Sequence, residues 1–176
     1  MPHFAVTAIG RDRPGIVAGL TAALRDIGGN LEDFSAAILR GHFAMMLVVD
    51  APAGVSVDKL RDGLAAAADP LGVQVSVSDV EAGAPDRPTG THVLSVYGSD
   101  HPGIVASFAG LLAERGVNVT DLSCRLTGGD APLYSMVAEV TLPADLDESE
   151  LREVIDRTAS EVGVDATFAA IEVETL

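Results

Sequence analysis

The sequence predicts an α+β protein built from two successive βαββαβ units, each a four-stranded antiparallel sheet with both helices on one face. Three observations carry this prediction. The heptapeptide RDRPGIV at residues 11–17 returns as SDHPGIV at residues 99–105. At each copy the apolar residues change from a period of two before the motif to a helical spacing after it. Between the copies lies EAGAPDRPTG, whose Gly, Pro and Asp content reads as a linker. The predicted division is therefore a first domain over 1–80, a linker over 81–90 and a second domain over 91–176.

The repeat extends far beyond the motif. An offset of 88 superimposes Gly10 on Gly98, Asp12 on Asp100, Gly15 on Gly103, Leu24 on Leu112, Gly28 on Gly116, Asn30 on Asn118 and Ser35 on Ser123. The offset then becomes 91, placing Pro52 on Pro143, Leu60 on Leu151 and Gly72 on Gly163. Three residues are thus added in one loop, TGGDAP in the second copy against RGH in the first.

Each element follows from its pattern. FAVTAIG and HVLSVYG alternate and read as strands. Helical stripes follow: Ile16, Val17, Leu20, Leu24 and Ile27 in the first copy, and Ile104, Val105, Phe108, Leu111 and Leu112 in the second. Pro14 and Pro102 suit a first helical turn, while Gly28 and Gly116 suit the left-handed residue that ends a helix. NLEDFSAAIL and HFAMMLVVD are strands joined by a short Gly-containing turn, with Met45 and Met46 packing in the core and on the sheet face. A second helix begins after Pro52 or Pro143. Asp147 and Glu150 have capping-box spacing, and Leu151, Val154, Ile155 and Val162 form its apolar stripe. VQVSVSDV and VDATFAAIEV close the units as strands. This order is the split βαβ, ferredoxin-like arrangement.

Composition excludes several functions. A net charge of −15 with one lysine, Lys59, repels phosphate backbones, so no direct nucleic-acid binding is expected. No apolar window is long enough for a membrane span and the N-terminus lacks a signal peptide's basic start, which leaves the cytoplasm as the expected compartment. Cys124 is the only cysteine, so internal disulfides are impossible, and a small buried hydrophobe is its expected role. His3, His42, His92 and His101 occur singly, without metal-ligand spacing, and no phosphate-loop signature is present. Neither an enzymatic activity nor a metal or cofactor is expected.

Strand, D-x-P-G-I-V, a helix ending in G-x-N, then a strand pair: this succession resembles the ACT domain family, here as DRPGIV to GGN and DHPGIV to GVN. The resemblance covers both halves. A free-standing tandem of such domains is similar to the glycine cleavage system transcriptional repressor group. It implies a regulatory protein that binds a small amino acid, glycine or serine first, between ACT domains, acting through a protein partner and as a homodimer. The resemblance implies ligand contacts from Asp12, Asp100, Asn30 and Asn118, and the motif residues Arg13, Pro14, Gly15, Ile16, His101, Pro102, Gly103 and Ile104 complete the candidate ligand-binding set.

Elementary chemistry is compatible with that set. A helix N-terminus offers unpaired N–H groups to a carboxylate, and Asp12 or Asp100 could hold an ammonium group. The same residues have plainer readings. The aspartates could simply complement the helix dipole, the asparagines the bend between helix and strand, and Arg13 could be solvated. Gly15 and Gly103 permit close approach either of a ligand or of a neighbouring helix. Two alternatives to a sensor stay open: a ligand-free protein-docking module acting as a transcriptional co-regulator, and a domain separated from a formyl-tetrahydrofolate hydrolase.

Overall fold

A computed structural model describes residues 2–80, 90–128 and 132–171. The predicted linker, apart from Gly90, the centre of TGGDAP and the end of the last predicted strand lie outside the described residues. The chain divides into two compact units between Ala84 and Pro85. The first contains β1 (His3–Arg11), α1 (Ile16–Ile27), β2 (Asn30–Leu39), β3 (His42–Asp50), α2 (Val57–Ala68) and β4 (Val73–Val80). The second contains β5 (His92–Ser99), α3 (Ile104–Glu114), β6 (Asn118–Leu126), β7 (Leu133–Thr141), α4 (Glu148–Val162) and β8 (Asp165–Ala170).

The sheets have orders β2-β3-β1-β4 and β6-β7-β5-β8, with every neighbouring pair antiparallel. This is the predicted arrangement, with β2, β3 and β4 spanning the predicted runs residue for residue. Arg40 and Gly41 form the β2–β3 turn with φ of 48° and 77°. A two-residue loop with both φ positive matches the right-handed twist of its strands. Alternation sends Phe4, Val6 and Ala8 of β1, and Phe43, Met45, Leu47 and Val49 of β3, into one core with Leu20 and Leu24 of α1 and Leu60 and Leu64 of α2. Leu94, Val96, Met136, Ala138 and Val140 meet Phe108, Leu112, Leu151 and Ile155 in the same way. In the second unit Arg152 of α4 donates to the Phe168 carbonyl of β8 and lies over the Phe168 ring, on which His92 also stacks. Arg152 also holds the Glu148 carboxyl below its ordinary pKa.

Several local expectations are corrected. Pro14 and Pro102 lie in the turn before the helix, because Gly15 and Gly103 are the N-caps and Ile16 and Ile104 the first helical residues. Val17 is 40% exposed, since a helix buries one stripe and Ile16, Leu20 and Leu24 already fill it. In α4 the third buried position is Ala159, with Val154 and Val162 half-buried. Asp147 does cap α4, accepting from the N–H groups of Ser149 and Glu150. Cys124 is exposed, not buried. It lies on β6, an edge strand that is exposed along nearly its whole length.

The face of each sheet away from its helices carries exposed apolar side chains, among them Ile9, Leu39 and Met46 in the first unit and Tyr97 and Leu133 in the second, whereas the exposed Phe34, Ile38, Leu122 and Leu126 of the edge strands pair with core positions and lie on the helix side. Among the described residues no helix is long and apolar enough to cross a membrane.

Candidate functional site

In each unit the first strand runs into the first helix through a four-residue loop, Asp12–Gly15 or Asp100–Gly103. The first is tied to the β2–β3 turn by the Asp12 N–H, which donates to the Gly41 carbonyl at 2.9 Å. Gly15 and Gly103 adopt φ of 97° and 105°, in the region where side chains are strained, and a Cβ on either would meet nothing within 4 Å. The glycine therefore serves the backbone conformation, and the space above it is open. Neither α1 nor α3 has an acidic residue in its first turn or a side chain at its cap. The other two helices are finished differently: Ser56 caps α2 and Asp147 caps α4, each followed by acidic first-turn residues. The two motif helices thus present bare N-terminal dipole ends beside exposed Asp12 and Asp100.

Arg13 does not extend freely into solvent. Its Nη1 donates to the Pro70 carbonyl at 3.4 Å, and its Nη2 lies 2.9 Å from where a Cβ on Gly72 would stand. His101, its counterpart, has Nδ1 3.2 Å from the Pro102 carbonyl. A carbonyl only accepts, so Nδ1 is the donor in this contact. The ring's Nε2 is buried and has no hydrogen-bond partner among the described residues. Ile16 and Ile104 have buried side chains and can offer a ligand only their backbone.

Asn30 and Asn118 lie elsewhere. Each begins its strand, opposite Asp50 or Thr141 respectively. Asp50 in turn pairs with His3, at the start of the nine-residue β1, whereas the motif loop follows its end at Arg11. At about 3.3 Å per residue, Asp12 and Asn30 of one unit stand roughly 30 Å apart. The fold does not bring them together within a unit.

Tyr134 is a neighbour of the second loop that sequence reasoning misses. On β7 it pairs with Gly98 of β5, and its phenol is pushed up to about 12 by burial first, then by the Cys124 thiol and the charge of Asp100. The corresponding residue beside Gly10 is Phe43, so only the second loop has this hydroxyl. The 91-residue offset, which pairs Phe43 with Tyr134, is the one signal in the sequence that could have found it. A Tyr97→Phe variant leaves Tyr134 as the only tyrosine. Its tyrosinate absorbance is expected to rise with a midpoint near 12. Between pH about 10 and 12 the folded state holds a proton that the unfolded state has lost, so stability falls as pH rises through that window. A midpoint at the ordinary tyrosine value of about 10 would contradict this environment.

Comparison with known proteins places these loops in context. Models of the ACT domain match residues 3–78 and 92–160. A UPF0237 protein of Methanopyrus kandleri is 50% identical over 78 residues, covering 44% of this chain and 87% of that protein. A protein of unknown function from Galdieria sulphuraria has a solved structure that superposes with a TM-score of 0.83 at 28% identity, covering 97% of this chain and 99% of that one. A chain provisionally named a glycine cleavage system transcriptional repressor superposes with a TM-score of 0.74 at 18% identity, covering 98% of each, a likeness of fold alone.

Proposed function

We propose, from the premise that this chain belongs to the ACT domain family in two tandem copies, that it is a non-enzymatic regulatory protein. It binds a small amino acid, glycine or serine, at an interface between ACT domains and signals through changed domain or partner association. The observation carrying this reading is the contrast between helix starts: α1 and α3 are bare and open, while α2 and α4 are capped by Ser56 and Asp147. An amino acid's carboxylate would accept from the free N–H groups of Ile16 and Val17, or of Ile104 and Val105, and Asp12 or Asp100 would face its ammonium. Because Asn30 and Asn118 lie far from the loop of their own unit, they would reach the ligand only from a facing domain. A ligand bridging two domains favours the arrangement in which they meet, which is the differential affinity a switch requires.

His101 makes the two sites unequal. Its buried, unpartnered Nε2 lies in the second loop, where the first has the Arg13 guanidinium. A ligand's polar group could satisfy that nitrogen, a partner that the first loop does not offer. The exposed apolar faces and the edge strands β2 and β6 support a second reading, a ligand-free protein-docking module that acts as a transcriptional co-regulator without touching DNA.

The test is a thermal-shift panel of the twenty amino acids, followed by calorimetry with Asp12→Ala, Asn30→Ala, Asp100→Ala and Asn118→Ala. A ligand present at 100 times its Kd is expected to stabilise the folded state by about 2.7 kcal/mol, and substitutions in one copy to abolish the effect. Indifference to all twenty at millimolar concentration would favour the docking reading.

A further inference from the structure

At the opposite end of the first sheet from the motif loop, three side chains from three adjacent strands converge. We propose that His3, Glu32 and Asp50 form a binding site for one divalent transition-metal ion of the zinc class. His3 Nε2 lies 3.6 Å from Asp50 Oδ1 and 3.8 Å from Glu32 Oε1, and all three ligand atoms lie within 4.8 Å of one another. The register brings them together. His3 begins β1 directly opposite Asp50, the last residue of β3. On β2 the pairing shifts between Leu31 and Asp33, leaving Glu32 as the extra residue of a bulge. Bulges re-aim side chains, and here the bulged residue joins the other two.

Asp50 is the residue most in need of an explanation. By alternation it belongs to the open face with Ala44 and Met46, yet it is 9% exposed and is the one buried charged residue among those described. Its Oδ1 is buried and has no hydrogen-bond partner among the described residues. A buried carboxylate oxygen without a donor is costly, and His3 stands too far away to donate a good hydrogen bond to either carboxylate. A cation between the three groups resolves this. Zinc-class bonds of about 2.0–2.2 Å to nitrogen and oxygen put neighbouring ligand atoms roughly 3.0–3.5 Å apart, so the two distances from His3 need to close by only a few tenths of an ångström, with the carboxylate oxygens drawn together from within 4.8 Å. Two carboxylates neutralise the ion, and one imidazole favours a zinc-class ion over magnesium. His3 and Glu32 have side chains 39% and 41% exposed, which leaves an open side for water as a further ligand.

The second unit is an internal control. The equivalent positions are Thr91, Thr120 and Thr141. Thr120 occupies the matching bulge, and its hydroxyl donates to the Glu139 carbonyl. Three hydroxyls in place of an imidazole and two carboxylates do not make a zinc-class site, so one ion per chain is expected.

The test is calorimetric titration of Zn2+ into the metal-free, untagged full chain, with Mg2+ as comparator. One equivalent of Zn2+ is expected at micromolar Kd or tighter, with Mg2+ at least ~100-fold weaker. His3→Gln, Glu32→Gln and Asp50→Asn should each weaken Zn2+ by ~100-fold or more, and the His3 ring resonances should shift on loading. If Asp50→Asn does not fold, the partly exposed His3 and Glu32 variants decide. Absence of binding at millimolar Zn2+, or binding that His3→Gln and Glu32→Gln leave intact, would overturn the site.

Discussion

Truncating Leu20 to alanine is expected to destabilise the first unit by about 2–5 kcal/mol. Leu20 is fully buried at the middle of the α1 stripe, in the same core as Leu60 and Leu64 of α2 and Val6 of β1, all likewise at zero exposure. The loss has two parts: the transfer free energy of the deleted atoms and the cavity left where neighbours on a sheet and two helices cannot all close in. A unit of this size is stable by only about 4–12 kcal/mol, so the change removes a large share of the total. Guanidinium denaturation followed by circular dichroism measures it. Val17→Ala is the control. Val17 lies one residue off the buried stripe and is 40% exposed, and its change should stay within about 0.5 kcal/mol beyond the small propensity gain. Equal losses at both positions would mean that α1 is docked on a different face.

Gly10→Val should cost about 3 kcal/mol, for a reason unrelated to backbone freedom. A Cβ at Gly10 would stand 2.6 Å from Val73 Cγ1 and 2.8 Å from the Gly72 carbonyl oxygen. One of these is backbone, so the strain cannot be relieved by a rotamer change, and β1 and the start of β4 would have to separate. Gly98 is similarly closed by Val164, whose Cγ1 lies 2.7 Å from where a Cβ on Gly98 would stand. Gly15 makes the contrast: space is open there but φ is 97°, so Gly15→Ala carries only the left-handed conformational cost of about 1–2 kcal/mol. Denaturation of Gly10→Ala, Gly10→Val and Gly15→Ala separates the two causes. The cost should grow with side-chain size at Gly10, and a flat series there would refute the close approach.

The position of the candidate site's two loops is legible in the sequence. The repeated heptapeptide locates both loops, and its glycine, Gly15 or Gly103, marks the point where the loop gives way to helix. The bareness of those helix starts is not legible, because it emerges only by comparison with the caps that Ser56 and Asp147 provide. Nor is the separation of Asp12 from Asn30. The segment between them includes one helix, which returns the chain to the far end of its own sheet, and the linear spacing does not reveal that direction. Tyr134 comes to the second loop through pairing with Gly98, a contact between residues 36 positions apart.

Local pattern is sufficient for the repeat, the order of elements and the faces of the two cores, because hydrophobic period and turn chemistry act over a few residues and report directly on strand or helix. Strand pairing decides the rest. His3, Glu32 and Asp50 have no recognisable spacing along the chain, and one bulge on β2 determines whether Glu32 joins the other two. Cys124 reads as a core residue by composition and is exposed because its strand is at an edge. Burial and convergence are properties of the neighbours a residue acquires when strands align, and those neighbours come from distant parts of the chain.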